Sequence, residues 1–352
     1  MMEVFILANG SAKIGMGHVF RSLTLVKYLK IMGVKSTYLS FDNDVLANLE
    51  IEKYAKLINL ENASDLLNSP QIIIDVITRL ASPEKKGLLY IDSDIREFYN
   101  AGFQKAVVMS GIKLMYATLY NQYHYYAHIL LNQNILALSQ EYTTEGYTKK
   151  LLGPKYFIWS QKAQEMVPQK QIDLGQQVNL FVNFGNADPN NLTAKAVELI
   201  TYSLEAFNKV IVVVGNLYLH SEALKKQVSS IPGNKIELHQ NVTDMYSLMG
   251  KCNLGFSSMG LTFWELTYLN IPSFVFSGSD RERPVCEFVG AKGYAFRMGD
   301  FADYNWLEVW SKKWNDVLLE KKYSTLKTME LKQMVNINGT KLVANEMAAI
   351  WN

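Results

Sequence analysis

Short runs of apolar residues alternate along the chain with longer segments in which apolar residues recur every three or four positions. The first pair is VFILAN (4–9), which predicts a strand, and GHVFRSLTLVKYLKIMG (17–33), which predicts a helix ending at Gly33. Strands that alternate with helices are typical of a parallel sheet covered by helices. Further strands of the first half are predicted at 36–41, 71–76, 87–92, 105–110 and 128–133.

The second half of the chain repeats this alternation. Between the halves lies a polar segment, 161–177, which contains Pro168 and Gly175 and has no sustained apolar period. The pattern predicts two doubly wound α/β domains, residues 1–165 and residues 175–352, the second including a helical tail beyond 303. Its strands are predicted at 178–184, 209–215, 235–240, 252–257 and 271–277, and its helices at 191–206, 219–230, 243–250, 259–269 and 281–291.

The composition narrows the class of protein. Of 352 residues, 49% are hydrophobic and 19% charged, which is typical of a globular protein. The formal net charge of +2 gives no reason to expect nucleic acid as a partner. No apolar run reaches the roughly 20 residues of a membrane span, and the first residues lack the features of a signal peptide. Cys252 and Cys286 lack metal-ligand spacing; they suit a reducing cytoplasm, although one disulfide is equally compatible. We therefore expect a cytoplasmic protein.

The loop NGSAKIGMGH (9–18) lies between the first strand and the first helix, where ligands bind in doubly wound sheets. Gly15 and Gly17 permit close backbone approach or a positive φ, and the helix N-terminus favours an anion. The same helix end disfavours the imidazolium form of His18, which predicts a neutral general base near pH 7. Arg21, one turn later, is suited to a carboxylate or phosphate. The alternative is a glycine-rich turn with an exposed histidine.

The loop VNFGNADPNNLT (182–193) fits a strand-to-helix turn. Asn190 or Asn191 is placed to cap the following helix, while Asp188 and Thr193 are candidates for ligand contact. Helix capping is the interpretation that the spacing favours. The sequence alone therefore leaves the role of this loop open.

Two later loops carry further candidate groups. In GFSSMGLTFWELTYLNIPSFVF (255–276), a Ser/Gly turn opens a helix whose free N–H groups suit a phosphate. Glu265 in that helix would accept hydrogen bonds from a ribose diol if it faces the interior, or lie exposed if it does not. In SGSDRERPVCEF (277–288), Arg281 and Arg283 are candidates for an anionic ligand, although a solvated charged face is the commoner cause of such a run.

Several types of chemistry find no support. His124 and His128 have i, i+4 spacing but no surrounding HExxH, so no metal site is predicted. There is no GxxxxGK[ST] phosphate loop, and the opening loop lacks the third glycine of the dinucleotide fingerprint. No cofactor is expected.

Four stretches together carry a family resemblance over nearly the whole chain. IGMGHVFRSLTLVKYLKIMG resembles the G-x-G-H-x-x-R opening of the nucleotide-sugar hydrolases of pseudaminic acid biosynthesis, which are grouped with the spore-coat polysaccharide biosynthesis proteins. ILLNQN (129–134) and LLGPKYFIWSQKAQE (151–165) continue it, with a similar Gly-Pro-x-Tyr stretch. FGNADPNNLT (184–193) is close to F-G-G-S-D-P-x-N-x-T, and residues 241–276 are similar to the G-G-S-T-x-W-E segment.

The resemblance implies a GT-B fold, two Rossmann-like domains facing an interdomain cleft that holds a UDP-sugar, without a required metal. The implied reaction releases UDP as water attacks the anomeric carbon with inversion. His18 matches the catalytic histidine, and Glu265 matches the glutamate on the ribose. The remaining nucleotide- or substrate-binding candidates are Gly15, Gly17, Arg21, Gly185, Asp188, Ser258, Gly260, Leu261, Thr262, Asp280 and Arg281.

Two departures fall in the sugar-contacting part of the family's site. The family has Tyr two residues after the Asp at the end of the strand matched here to IIIDVI, where Asp75 is followed by Val76 and Ile77. It also has an Asn-Gln pair where this chain has SDRE (279–282). The nucleotide half of the site is retained and the sugar half altered.

Three hypotheses follow. The first is a nucleotide-sugar hydrolase that acts on a UDP-linked diacetamido-trideoxy or related sugar in bacterial surface glycan biosynthesis, with His18 as general base. The second is a GT-B glycosyltransferase with a glycan or protein acceptor. The third is a non-catalytic nucleotide-sugar sensor, which has no need of His18.

Overall fold

The structure, a computed structural model, describes residues 3–10, 17–40, 51–60, 70–80, 87–166, 178–320 and 322–350. Its contacts divide the chain into two compact units. One consists of Met1–Gln164 together with Val335–Asn352, and the other of Glu165–Met334. The chain passes from the first unit to the second within the polar segment 161–177 and returns to the first unit for its last residues.

The first unit contains a parallel sheet with the strand order β3-β2-β1-β4-β5-β7-β9 in its described residues. The central strand β1 is buried at every position, as expected for a parallel sheet covered on both faces. A short parallel pair, β6 with β8, lies outside this sheet. The strands are β1 (Glu3–Ala8), β2 (Lys35–Ser40), β3 (Lys56–Asn59), β4 (Gly87–Asp92), β5 (Lys113–Ala117), β6 (His124–Tyr125), β7 (Ile129–Asn132), β8 (Thr143–Thr144) and β9 (Lys149–Leu152). The helices are α1 (Gly17–Ile31), α2 (Pro70–Leu80), α3 (Ala101–Met109) and α4 (Gln161–Gln164).

The second unit repeats this arrangement with the strand order β12-β11-β10-β13-β14-β15, again all parallel. Numbered within the unit, this is the order 3-2-1-4-5-6 of the Rossmann fold. The strands are β10 (Val178–Asn183), β11 (Phe207–Val214), β12 (Ile236–Gln240), β13 (Leu254–Ser258), β14 (Ser273–Ser277) and β15 (Phe296–Asp300). The helices are α5 (Leu192–Thr201), α6 (Ser221–Ser229), α7 (Met245–Met249), α8 (Leu261–Tyr268), α9 (Arg283–Ala291), α10 (Trp306–Leu319) and α11 (Thr328–Gln333).

The last helix, α12 (Gly339–Ala349), packs against α1 of the first unit. Thr340 Oγ1 donates to the carbonyl of Trp159 (2.8 Å) and accepts from its N–H (2.7 Å). The Trp159 indole donates to the carbonyl of Asn336 at 2.9 Å. The sequence placed the whole tail with the second domain; these buried contacts instead place its last residues in the first unit.

Two predicted strands are helices. Residues 71–76 lie in α2, which begins at Pro70 and buries Ile73, Ile74 and Ile77 at helical spacing. Residues 105–110 lie mostly in α3, which is capped by Asn100, whose Oδ1 accepts from the N–H of Gly102 at 2.7 Å. The strand that ends in an aspartate is therefore β4, and the residue two positions after Asp92 is Asp94. The tyrosine expected by the resemblance is absent there too.

The strand order of each sheet locates its ligand-binding edge. In the first sheet the order reverses between β1 and β4, where Ala8 pairs with Asp92. In the second it reverses between β10 and β13, where Asn183 pairs with Ser257. Ligands of doubly wound sheets bind beyond the carboxyl ends of the strands at such points. Ligand-binding groups are therefore expected at both points.

Buried apolar side chains fill both faces of each sheet. Cys252 and Cys286 are buried free thiols. Within the described ranges, no helix combines the length and the apolar character that crossing a bilayer requires.

Candidate functional site

A buried aspartate at the end of β4 organises the first unit's switch point. Helix α1 brings His18 and Arg21 to it, because both residues lie in the first turns after the loop that follows β1. His18 Nδ1 lies 2.5 Å from Asp92 Oδ1, and Arg21 Nε donates to Asp92 Oδ2 at 2.7 Å. The side chain of Asp92 is 0% exposed, whereas those of His18 and Arg21 remain 18% and 16% exposed.

The carboxylate of Asp92 is saturated with hydrogen-bond donors. Besides His18 and both donating nitrogens of Arg21, it accepts from the Tyr90 hydroxyl at 3.1 Å and from Ser22 Oγ at 3.4 Å. Burial favours its neutral form, but the charges of Arg21 and His18 outweigh this and hold its pKa well below the usual range. Asp92 is thus a fixed anion that orients the two cationic side chains.

A second carboxylate holds the other ring nitrogen of His18. Asp94 Oδ2 lies 3.0 Å from His18 Nε2, and Asp94 Oδ1 accepts from the Tyr120 hydroxyl at 3.2 Å. Tyr120 belongs to an aromatic cluster in which Tyr99 stacks on Tyr123 with ring centroids 4.8 Å apart. These tyrosines therefore pack against one another, and the hydroxyl of Tyr120 also reaches the Asp94 carboxylate beside His18.

The charge state of His18 differs from the one expected from the helix end. Burial lowers the pKa of His18, but the charge of Asp92 and the hydrogen bonds to Asp92 and Asp94 raise it to about 9. Two carboxylates in direct contact outweigh the partial charge of a helix N-terminus. These contacts favour the imidazolium form of His18 near neutral pH, the opposite of the form predicted from the helix N-terminus.

At the second unit's switch point, the loop after β13 leads into α8. Gly260 is the N-cap of α8 and provides no side-chain cap, and Leu261, the first helical residue, is 38% exposed. Thr262 Oγ1 donates to Asn183 Oδ1 at 2.8 Å, which ties the helix to the end of β10. Ser258 ends β13 and is buried. An uncapped helix N-terminus at this edge is suited to an anionic group such as a diphosphate.

Glu265 lies one turn further along α8 and is partly buried. Its Oε1 accepts from the Tyr246 hydroxyl, on α7, at 2.8 Å. Burial raises the pKa of Glu265 to about 7, although the hydrogen bond from Tyr246 opposes the shift. The sequence left open whether Glu265 faces the interior or lies exposed. The structure places its carboxylate in a partly buried position against Tyr246.

The loop after β10 mainly caps α5. Asp188 is buried, and its two carboxylate oxygens accept from the N–H groups of Leu192 (2.9 Å) and Thr193 (2.7 Å). Gly185 has φ +94°, a conformation that favours glycine, and its N–H donates to Asn183 Oδ1 at 3.1 Å. Asp188 thus caps α5.

In the SDRE segment, Glu282 contacts the site loops. Its Oε2 accepts from the N–H groups of Gly278 (2.8 Å) and Met259 (3.2 Å), and burial raises its pKa. Asp280 is 78% exposed and pairs with Arg283 at 2.8 Å, and Arg281 is exposed. Of Asp280, Arg281 and Glu282, the fold therefore places Glu282 beside the loop that leads to α8.

Two glycines of the opening loop, Gly15 and Gly17, were candidates for ligand binding. Gly15 lies outside the described residues. Gly17 is the first residue of α1 and has no positive φ, and among the described residues no atom lies within 4 Å of the place a Cβ would take.

Sequence reasoning missed Asp92, Asp94, Asn183 and Tyr246. A usable signal existed for the two aspartates, because GLLYID was predicted as a strand and strand ends at a switch point carry ligand-binding groups. The other two depend on contacts between distant segments. His18 and Arg21 both contact Asp92, and Thr262 and Glu265 lie on the helix α8.

The sequence is similar to two known proteins at low identity. No family model matches the chain. It is 28% identical over 294 residues to an uncharacterised protein of Methanocaldococcus jannaschii, an alignment that covers 80% of this chain and 57% of the relative's length. It is 21% identical over 308 residues to the spore coat polysaccharide biosynthesis protein SpsG of Bacillus subtilis, covering 85% and 84% of the two chains. The similarity to SpsG agrees with the resemblance to spore-coat polysaccharide biosynthesis proteins that the sequence motifs indicated.

Solved structures share the fold across the whole chain at low identity. The calicheamicin glycosyltransferase CalG4 has a TM-score of 0.65 at 13% identity, covering 98% of this chain and 97% of the other. MurG of Acinetobacter baumannii has a TM-score of 0.61 at 13% identity, covering 98% of both chains. Anabaena HepE, solved with UDP-glucose, has a TM-score of 0.57 at 11% identity, covering 99% and 100%. The chain therefore has a GT-B-type α/β fold with two Rossmann-like units, as predicted.

Proposed function

We propose that this protein is a nucleotide-sugar hydrolase of surface glycan biosynthesis, which cleaves a UDP-linked diacetamido-trideoxy or related sugar at the anomeric carbon with inversion. The observation that carries the proposal is the His18 cluster at the β1/β4 switch point. There a histidine is held between Asp92 and Asp94 with part of its ring exposed to solvent. A buried carboxylate that fixes one ring nitrogen is the usual means of orienting a proton-transfer histidine.

The first unit would supply the proton-transfer groups. Water is a weak nucleophile, so its proton must be accepted as its oxygen bonds to the anomeric carbon. A positioned acid–base group contributes about 10²–10⁴-fold to such a step. The His18–Asp94 pair is the candidate for this function because its 3.0 Å contact joins a proton donor and a proton acceptor.

The second unit would bind the nucleotide. The N-cap residue of α8 is Gly260, which has no side chain to cap the helix, and it follows the end of β13, a suitable place for a diphosphate. Glu265, within the same helix, would accept hydrogen bonds from the ribose diol. Helix N–H groups would also stabilise the charge that develops on the departing UDP, and this should supply much of the remaining rate.

NMR of the purified protein with single UDP-sugars tests this proposal. UDP-N-acetylglucosamine and a UDP-linked diacetamido-trideoxy sugar are incubated without acceptor, and the anomeric signals of the product are followed. The expected result is UDP and a free sugar of inverted anomeric configuration. Sugars that stay intact through a long incubation at high protein concentration would reject hydrolysis.

A glycosyltransferase is the second candidate, because the fold is shared across nearly its full length with a protein named as a calicheamicin glycosyltransferase. On that alternative an acceptor hydroxyl takes the place of water. UDP release that requires an added glycan or protein acceptor would select it.

A further inference from the structure

We propose that Asp94 is a catalytic residue, the general base that takes the proton of the attacking water, and that His18 acts as an imidazolium that holds and orients it. This inference rests on the proposed hydrolysis and names the atom that accepts the proton. Nothing in the resemblance assigns this position, because a tyrosine is expected there and this chain has Asp94.

The surroundings of Asp94 suit a base that meets a small molecule. Its side chain is 16% exposed, so that water reaches the carboxylate. Its Oδ2 faces His18 Nε2 at 3.0 Å and its Oδ1 faces the Tyr120 hydroxyl at 3.2 Å. Contacts to both oxygens hold the plane of the carboxylate, which suits a group that must meet a water molecule in a fixed direction.

Asp92 is not suited to the same function. It is 0% exposed, and its oxygens accept from His18, Arg21, Tyr90 and Ser22. Its pKa lies well below the usual range because of the charges of Arg21 and His18. A buried carboxylate with this many donors has no access to water and is the weaker base.

His18 in this arrangement also lacks the features of a base. Both ring nitrogens face carboxylates, so that in the imidazolium form each N–H has an acceptor. With its pKa raised to about 9, chiefly by Asp92 against the effect of burial, only roughly 1% of His18 is neutral at pH 7. Among the residues that the structure describes, the charged groups that face the ring are Asp92 of β4, Asp94 of the following loop and Arg21 of α1. The titratable hydroxyls of Tyr90 and Tyr120 contact the two carboxylates.

Hydrolysis at the anomeric carbon needs no reactant other than water and the UDP-sugar. The water oxygen forms a bond to the anomeric carbon as the bond from that carbon to the diphosphate oxygen breaks, and the electron pair stays on the departing UDP. The water proton moves to a carboxylate oxygen of Asp94. Inverting glycosidases use a carboxylate in the same way to activate water.

The test compares Asp94→Asn with Asp75→Asn, which changes an exposed carboxylate of the same unit. We expect Asp94→Asn to lower kcat by about 10²–10⁴-fold with little change in KM, and Asp75→Asn to match the wild type. Asp94→Glu, which keeps the base but moves it, should recover part of the rate. The wild-type rate should be constant from about pH 6 to 8 and fall above about pH 9, as His18 loses its proton.

The alternative, in which neutral His18 accepts the proton of water, predicts different results. If neutral His18 is the base, the wild-type rate rises with pH toward 9. Asp94→Asn then increases the rate at pH 7, because it removes a hydrogen bond that raises the pKa of His18. That pair of results would overturn the assignment to Asp94.

A ¹⁵N NMR titration of the His18 ring separates this inference from the function on which it rests. In folded Asp94→Asn the pKa of His18 should fall, whether or not the protein turns over a substrate. An unchanged pKa, or wild-type turnover that Asp94→Asn leaves intact, would reject the role of Asp94 alone. Wild-type protein that releases no UDP from any sugar rejects the proposed function and this inference with it.

Discussion

His18 and Asp92 are 74 positions apart in the sequence, yet His18 Nδ1 lies 2.5 Å from Asp92 Oδ1. The contact forms because β1 and β4 are neighbours in the sheet, so that the helix after β1 begins beside the end of β4. Arg21 binds the same carboxylate from the next turn of α1. A single buried anion therefore fixes both basic residues of the G-x-G-H-x-x-R segment.

The first prediction concerns that anion. Asp92→Asn keeps the size of the side chain but removes the charge that balances Arg21, and a buried ion pair that loses one partner typically costs about 3–5 kcal/mol. We expect a loss of that order in the free energy of unfolding, measured with urea at pH 7. The control is Asp280→Asn, because Asp280 is 78% exposed and surface ion pairs contribute little. Equal stability of the two variants would contradict the role given to Asp92.

The second prediction concerns the dependence of stability on pH. The folded protein binds the proton of His18 more tightly than the unfolded chain, because Asp92 and Asp94 raise the pKa of His18 from 6.5 to about 9 despite its burial. This contribution to stability is complete below about pH 6.5 and is lost as the pH rises through 9. Its full size is on the order of 3 kcal/mol.

Urea denaturation of wild type and His18→Gln at pH 6 and pH 9 measures this effect. The wild type should lose more stability between the two values than the variant, because only the wild type releases the proton of His18. Parallel losses would show that the imidazolium is not stabilised by its two carboxylates. His124→Gln is the control, since His124 pairs with Glu145 in a more exposed position.

The third prediction concerns Glu265. Burial raises its pKa from 4.5 to about 7, so the folded protein binds this proton more tightly than the unfolded chain, and the resulting stabilisation is lost as the pH rises through 7. Glu265→Gln is neutral and still accepts the hydrogen bond from Tyr246. We expect the variant to be more stable than the wild type at pH 8, by on the order of 1–3 kcal/mol, and the gain to shrink toward pH 5.

The same variant tests nucleotide binding. An amide offers a ribose diol one acceptor and one donor group where the carboxylate offers two acceptors, so UDP affinity measured by calorimetry at pH 8 should fall about tenfold or more. A variant that is both more stable and unchanged in UDP affinity would remove Glu265 from the proposed nucleotide site.

The sequence predicted the alternation of elements well, because strands such as β1, β4 and β10 are apolar runs with clear polar boundaries. It failed at residues 71–76, where three isoleucines in a row hide a helical period that becomes visible only with Ile77. A short apolar run does not distinguish a buried strand from one face of a helix. This error moved the strand-end aspartate to Asp75 and left Asp92 and Asp94 unnoticed.

The protonation of His18 lay beyond sequence reasoning for a different reason. Its position in the first turn of α1 was predicted, and a helix N-terminus alone would keep the ring neutral. The carboxylates that reverse this effect come from residues 74 and 76 positions away. The fold and the location of the site follow from local pattern, whereas the charge of its central residue depends on tertiary contacts.

The last prediction concerns the return of the chain to the first unit. Thr340 Oγ1 donates to the carbonyl of Trp159 and accepts from its N–H, and the side chains of both residues are buried. Thr340→Val keeps the shape but removes the hydroxyl that bonds to both backbone groups of Trp159, and losing a hydrogen-bond partner of a buried group costs about 1–3 kcal/mol.

We expect Thr340→Val to lower the free energy of unfolding by about 2–5 kcal/mol, whereas Thr340→Ser, which keeps the hydroxyl, should lose about 1 kcal/mol or less. Urea denaturation followed by tryptophan fluorescence measures both, because the Trp159 indole itself donates to Asn336 in the same segment. Hydrogen exchange of the Trp159 amide provides a local readout, since that N–H should lose its protection in Thr340→Val first. If the two variants were equally stable, the hydroxyl would not be what anchors α12, and the apolar packing of α12 against α1 would have to account for the attachment of the tail.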